Sequence, residues 1–370
     1  MTPQATSGSV PVDFTRLIIL GAVCSLGYGY PSAKDMVPHL RRFADALTNQ
    51  STRLRQFVRK ALGTFDRLVE AGAPASTLDD LAWLVHQGKL GTNRSLENES
   101  ANNRLVETAK VAVAALFLSK EEPAAKSGLA GYRTLMRRIL GSEFGTDYRL
   151  ALKQTPYRVL TFNYDRLFEL AYRQHFDVDL TQAFYGPTGL NSGLFQVMPG
   201  RIEVDPNRFS FLKLHGSVGV FSDDRYGRCD HVHSIPEPGE TPRLSDDQFF
   251  FPSNDHLQPN LPNLPLIVFP HEKDFLKEYP DNRLPYRVYI PTIWEAARRF
   301  ATQAEQIEII GYSCPEPDSP ALRSLIEAST NCKRVVVQNP SAKAICQRMR
   351  SRLPSHAGLF EAYESTFEDT

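Results

Sequence analysis

Two short blocks place reactive side chains just beyond apolar runs. Thr161-Phe162-Asn163-Tyr164-Asp165 carries an amide and a carboxylate, and Lys213-Leu214-His215-Gly216-Ser217 carries an imidazole. Far upstream, Arg16-Leu17-Ile18-Ile19-Leu20 runs into Gly21-Ala22-Val23-Cys24-Ser25 and then Gly29-Tyr30-Pro31. Small residues in a turn after a buried strand let the main chain approach an anion, Ser25 can donate a hydroxyl, and a helix start near Ser32 offers free N–H groups. Together these describe a nucleotide site beside a polar reaction centre. Each residue also has a plainer use: an Asn or Asp at a strand end caps the next helix, and a lone His after a buried strand is a structural hydrogen-bonder.

The elements that must position these residues are short Ile/Val/Leu/Phe runs. Strands are predicted at 17–20, 158–161, 211–214, 264–269, 307–310 and 334–337, and helices at 35–47, 166–175, 291–303, 320–328 and 341–352. Pro291 and Pro320 are read as first-turn prolines. Continuous apolar strands alternating with helices predict an α/β fold: a Rossmann-like parallel sheet with helices on both faces. Its strands fall within 16–36 and 157–340. Between them, 45–150 reads as an inserted helical subdomain, with helices at 52–71, 104–118 and 132–140 and a loop at 91–103 rich in asparagine. Residues 186–262 read as loop with short hairpins near Val204 and Tyr226, and 341–370 as a C-terminal helix and tail.

Composition narrows the partners. Lys plus Arg and Asp plus Glu both number 42, so no net field gathers nucleic acid or anionic lipid. The basic run Arg53, Arg55, Arg59 and Lys60 reads as a solvated helix face. No apolar stretch approaches the ~18 residues of a membrane span, and no leader is read. Five cysteines without a Cys-x-x-Cys pair suit a reducing cytoplasm. Cys229, His231 and His233 alternate and could share a face toward a metal, but no fourth ligand accompanies them, and they read as surface residues.

Gly21-Ala22-x-x-Ser25-x-x-x-Gly29-Tyr30-Pro31 resembles the nucleotide loop of the sirtuin (silent information regulator) family. Thr161-x-Asn163-x-Asp165 resembles its Thr-Gln-Asn-Ile-Asp block, and Leu214-His215-Gly216 its Leu-His-Gly block. Ile309-Ile310-Gly311-Tyr312-Ser313 resembles its Gly-Thr-Ser loop, and Val337-Gln338-Asn339-Pro340 its adenine-side strand end. The wording, with Ile267-Val268-Phe269-Pro270 between, is similar to the prokaryotic sirtuin-like branch. Two departures stand out: Val23 replaces the loop's second glycine, putting a β-branched side chain where backbone approaches phosphate, and no four-cysteine zinc ribbon can be assembled.

The resemblance implies NAD as substrate or ligand, without zinc. It assigns Gly21, Ala22, Ser25, Gly29, Tyr30, Pro31, Thr161, Gly311, Ser313 and Asn339 to cofactor binding. It assigns catalysis to Asn163, which orients a water or ribose hydroxyl through both ends of its amide, Asp165, which holds the nicotinamide amide, and His215, the general base. Nicotinamide leaves as a neutral amine, so no acid is needed on the leaving group; positioning and stabilisation of a ribosyl cation suffice. Tyr28, Tyr30, Phe162 and Tyr164 either wall the nicotinamide pocket or belong to the core; Trp83 and Trp294 read as helix packing. The implied activity is NAD hydrolysis to nicotinamide and ADP-ribose in antiphage defence, controlled by homo-oligomerisation or a defence partner. Deacylation or ADP-ribosyl transfer, and non-catalytic sensing of NAD or ADP-ribose, are the alternatives.

Overall fold

The computed structural model describes residues 15–47, 52–70, 96–141, 155–176, 196–198, 201–203, 211–222, 232–234, 264–273, 276 and 284–368, with a few isolated positions between 72 and 84. Six parallel strands form the main sheet: β1 (Arg16–Leu20), β2 (Tyr157–Thr161), β5 (Phe211–Lys213), β9 (Gln306–Ile310), β10 (Arg334–Gln338) and β11 (Phe360–Tyr363). Their order is β11-β10-β9-β1-β2-β5. The chain builds outward from β1 on one side, then returns to build outward on the other, so the direction of winding reverses between β1 and β9. A crevice for a ligand is expected at the carboxyl ends there.

The register sharpens that expectation. Leu20 pairs with both Thr161 and Ile310, Thr161 with Lys213, Ile310 with Gln338, and Gln338 with Tyr363. All six strands therefore end on one row, and whatever follows each end is delivered to one edge. Every residue of β2 is buried, Arg158 and Thr161 included, so both faces of the sheet are covered there.

The helices around the sheet are α1 (Val23–Leu26), α2 (Met36–Ala46), α3 (Thr52–Glu70), α4 (Leu96–Lys126), α5 (Ala130–Leu140), α6 (Leu167–Phe176), α7 (Leu284–Gln303), α8 (Ser319–Ala328) and α9 (Ala342–Arg352). From Val111 to Leu118 every residue of α4 is buried, the signature of a helix enclosed on all sides. It packs on α3 and on a three-stranded antiparallel sheet, β7 (Val232–Ser234), β6 (Gly216–Ser222) and β8 (Leu264–Ile267). Two buried ion pairs fasten it: Lys110 Nζ to Glu272 Oε1 at 2.5 Å, and Arg166 to Glu121 through two bonds of 2.7 Å.

Several expectations are corrected. The 264–269 strand exists over Leu264–Ile267, but it pairs antiparallel with β6, outside the parallel sheet. Pro291 lies inside α7, which begins at Leu284. Residues 96–103 of the expected loop belong to α4, and 91–95 lie outside the described residues. α2 begins at Met36, so Ser32 sits in a turn, its hydroxyl donating to Asp35 Oδ2 at 2.6 Å. The C-terminal tail contributes β11 to the sheet. Hairpins occur as expected: β3 (Gln196–Met198) with β4 (Arg201–Glu203), and β6 with β7. Trp83, Cys229 and His231 lie outside the described residues.

Candidate functional site at the carboxyl edge

The loops after β1 and β9 cross in direct contact. Gly21 N donates to Ile310 O at 3.0 Å and Val23 N to Gly311 O at 2.8 Å. A Cβ on Gly21 would lie 2.4 Å from Tyr312 Cα, and one on Gly311, at φ +64°, 2.5 Å from Cys24 Sγ and 2.7 Å from Cys24 N. The glycines are therefore demanded first by this crossing. Ala22, exposed between them, is left with an N–H that has no backbone partner among the described residues. Gly311→Ala is expected to cost about 3 kcal/mol, combining a left-handed backbone with overpacking, read as a lower urea midpoint with unchanged m-value. A midpoint equal to wild type would contradict the crossing.

Ser25, Asn163 and Asp165 form one buried knot. Ser25 Oγ donates to Asp165 Oδ2 at 2.7 Å, Asn163 Nδ2 donates to Gly21 O at 3.1 Å and to Ser25 Oγ at 3.2 Å, and Tyr132 OH lies 3.1 Å from the same hydroxyl. Because Ser25 has one proton, already given to Asp165, Tyr132 must be the donor to it. Asp165 Oδ1 accepts Leu167 N at 3.0 Å and so caps α6. The Nδ2 end of Asn163 is thus engaged; only Oδ1 remains to meet a ligand, a narrower role than orientation through both ends. Thr161 Oγ1 accepts Asn163 N at 3.0 Å and fixes the turn.

His215 stands beyond β5, with Leu214 N donating to Thr161 O at 2.8 Å and Val268 N to His215 O at 2.9 Å. Gly216 follows at φ +77°, where a Cβ would lie 1.8 Å from Leu266 O; glycine alone permits this approach to β8. The imidazole packs against Phe162 (5.3 Å between centroids), Tyr164 (6.1 Å) and Trp294 (6.4 Å), and Phe162 stacks on Tyr312 at 4.4 Å. The Asn163 and His215 blocks are neighbours on one edge. Tyr30 is also buried, edge-on to Phe117, while Tyr28 OH accepts Gly131 N at 3.0 Å.

Among the described residues, three buried polar atoms around Phe162 make no well-aligned hydrogen bond: Trp294 Nε1, Tyr312 OH and His215 Nε2, the last of which faces Asp318. Asn339 Nδ2, beyond β10, is a fourth such atom, its Oδ1 accepting Ser341 N at 2.9 Å. Native interiors seldom leave such atoms unpaired unless a ligand or water meets them. Gly29 (φ +83°) and buried Pro31 shape the turn before α2, and exposed Ser313 gives its carbonyl to Arg348 Nη2 at 2.7 Å.

No family model and no curated protein matches the chain. Among solved structures, a mutant Sir2 homologue with 2′-O-acetyl ADP-ribose is similar at 13% identity and TM-score 0.41, covering 96% of this chain and 88% of that one. A Sir2 homologue in complex with NAD is similar at 12% and 0.43, covering 96% and 85%. The functional reading therefore rests on this chain's own residues.

The structure adds residues the sequence did not reveal. Asp318, at the head of α8, lies 3.1 Å from His215 Nε2 and 3.0 Å from Lys273 Nζ. Burial pushes its carboxyl up, but His215 and Lys273 outweigh that and hold it at about 2. Burial and Asp318 together push the Tyr312 phenol up, and burial does the same to the Cys24 thiol. The sign for Asp318 is that of a depressed acid: its contribution, about 2 kcal/mol, is complete above the ordinary value of 3.8 and is lost as pH falls toward 2. Asp318→Asn should flatten that part of the stability–pH curve, and an unchanged slope would refute the assignment. The cue available in sequence was Asp318-Ser319-Pro320, a helix-start pattern that does not name its partner. Among the described residues no His/Cys/Asp/Glu group is arranged for a metal, and no helix is long and apolar enough to cross a membrane.

Proposed function

We propose that the chain is a sirtuin-like NAD hydrolase that breaks the bond between nicotinamide and ribose. The carrying observation is the single row of strand ends, which brings the Gly21 and Gly311 turns, Asn163 and His215 to one edge at the reversal of winding. In the reaction water forms a bond to the ribosyl carbon, the electron pair of the broken carbon–nitrogen bond neutralises the nicotinamide ring, and a proton passes to His215. Asn163 Oδ1 orients the water or a ribose hydroxyl; the Ala22 N–H and the turns around it receive the pyrophosphate. Asn339 serves the adenine side, and Asp165 holds the frame as much as the nicotinamide amide.

The helices between β1 and β2 form, in this reading, a helical subdomain that acts as a cap or assembly surface. A constitutive NAD hydrolase would poison its host, so activity is tied to oligomerisation or to a partner in cytoplasmic antiphage defence. The motif resemblance supports this wider role. A second reading, a non-catalytic binder of NAD or ADP-ribose, is favoured by the engagement of Ser25, Asn163 Nδ2 and Asp165 with one another.

Incubating purified protein with NAD over a range of protein concentrations, with chromatography of the products, separates these. Free nicotinamide and ADP-ribose without any acceptor supports hydrolysis, and a rise in specific activity with concentration supports assembly. Turnover that needs an acyl-lysine or other acceptor indicates transfer. Calorimetric binding without nicotinamide release, in wild type and Val23→Gly alike, indicates a sensor.

A further inference from the structure

His215 and Asp318 reach each other from loops that belong to different halves of the sheet. His215 follows β5 and Asp318 ends the loop after β9, and in the sheet β1 and β2 lie between those strands. The contact therefore closes over the two strand ends that carry the Gly21 turn and Asn163.

The surroundings hold both partners still. Lys273 Nζ bonds Asp318 Oδ1 at 3.0 Å, Pro270 O at 2.6 Å and Pro317 O at 2.9 Å, so the carboxylate is pinned by a cation that is itself anchored twice to backbone. The His215 ring, 2% exposed, is boxed by Phe162, Tyr164 and Trp294. Its Nε2 lies 3.1 Å from Asp318 Oδ1, close but misaligned for a hydrogen bond, as is common before substrate tightens a site. An ionised carboxylate can only accept, so the ring nitrogen facing it carries the proton; the other nitrogen then keeps its lone pair. Nδ1 has no partner among the described residues.

We propose that Asp318, anchored by Lys273, is a positioning residue that holds His215 as the Nε2–H tautomer and leaves Nδ1 as the base. The tautomer rests on the 3.1 Å approach of the Asp318 carboxylate to Nε2. Its use, taking a proton from water as the oxygen bonds to the ribosyl carbon and nicotinamide departs with the electron pair, rests on the hydrolase reading.

Two measurements on the full-length protein test this separately. Long-range proton–nitrogen NMR of 15N-labelled protein, recorded over a pH series up to the neutral form of the ring, reads the tautomer, with the His215 signals assigned by their loss in His215→Asn. The expected result is a proton on Nε2 in wild type and a mixed tautomer in Asp318→Asn. In NAD turnover, Asp318→Asn is expected to lower kcat about 10- to 100-fold with KM changed less than about 2-fold, and Asp318→Glu to recover part of the loss. A proton on Nδ1 in wild type overturns the proposal, as do unchanged tautomer and kcat in Asp318→Asn. If wild type shows no NAD turnover, the hydrolase reading fails while the NMR result still decides the tautomer; it does so too if Asp318→Asn fails to fold.

Discussion

His215→Ala is expected to slow nicotinamide release about a thousand-fold, the span of a lost general base, with a KM for NAD close to wild type. Truncation also empties a space walled by Phe162, Tyr164 and Trp294, so some stability is lost, about 1–3 kcal/mol. His215→Asn keeps more of that volume and separates the two effects: activity should fall as far while the melting temperature falls less. Asn163→Ala should likewise abolish release, and it should cost about 1–2 kcal/mol by removing the donor that ties Gly21 O to the knot. Retained activity in both would remove the mechanism.

The largest stability effect is expected at Glu121. Its carboxylate and the Arg166 guanidinium are almost fully enclosed and share two bonds of 2.7 Å. Glu121→Ala removes both carboxylate bonds from a buried guanidinium, and breaking one partner of such a pair costs about 3–5 kcal/mol, whereas joint replacement by Leu and Met of similar volume costs much less. Arg166 directly follows Asp165, whose carboxylate holds Ser25 and caps α6. Loss of the pair should therefore loosen the site as well as the fold. Urea unfolding of the single and double variants checks this; a Glu121→Ala midpoint equal to wild type would show that the pair contributes nothing.

How much of this was legible depends on what each segment encodes locally. The strands beginning near 17, 158, 307 and 334 were readable to within a residue or two because each concentrates Ile, Val and Leu in a short run, with Arg158 in β2 and Glu308 in β9 as charged interruptions. The Leu264–Ile267 run is just as apolar, yet it pairs antiparallel with β6, because an apolar run does not carry the identity of its neighbour. Leu284–Ile290 holds the aromatic and β-branched residues Tyr286, Val288, Tyr289 and Ile290, common in strands, yet it forms the first turns of α7 and Pro291 lies inside the helix. The start of α4 was missed because 96–103 is polar and rich in asparagine, whereas the stretch from Arg104 to Leu118 carries the apolar pattern that was read as helix.

Within the site, Asn163 and His215 were recoverable since each stands two residues past a strand end. The engagement of Asn163 Nδ2 with Gly21, and the meeting of His215 with Asp318, depend on which loops the strand order brings together. That order is a property of the whole sheet. No single motif contains it.

A crystal structure of His215→Asn grown with NAD tests the central claim most directly. The account predicts the pyrophosphate against the Ala22 N–H between the Gly21 and Gly311 turns, the nicotinamide ribose beside Asn163 Oδ1 and position 215, and adenine toward Asn339. NAD bound away from this edge, or no bound NAD at saturating concentration, would contradict it.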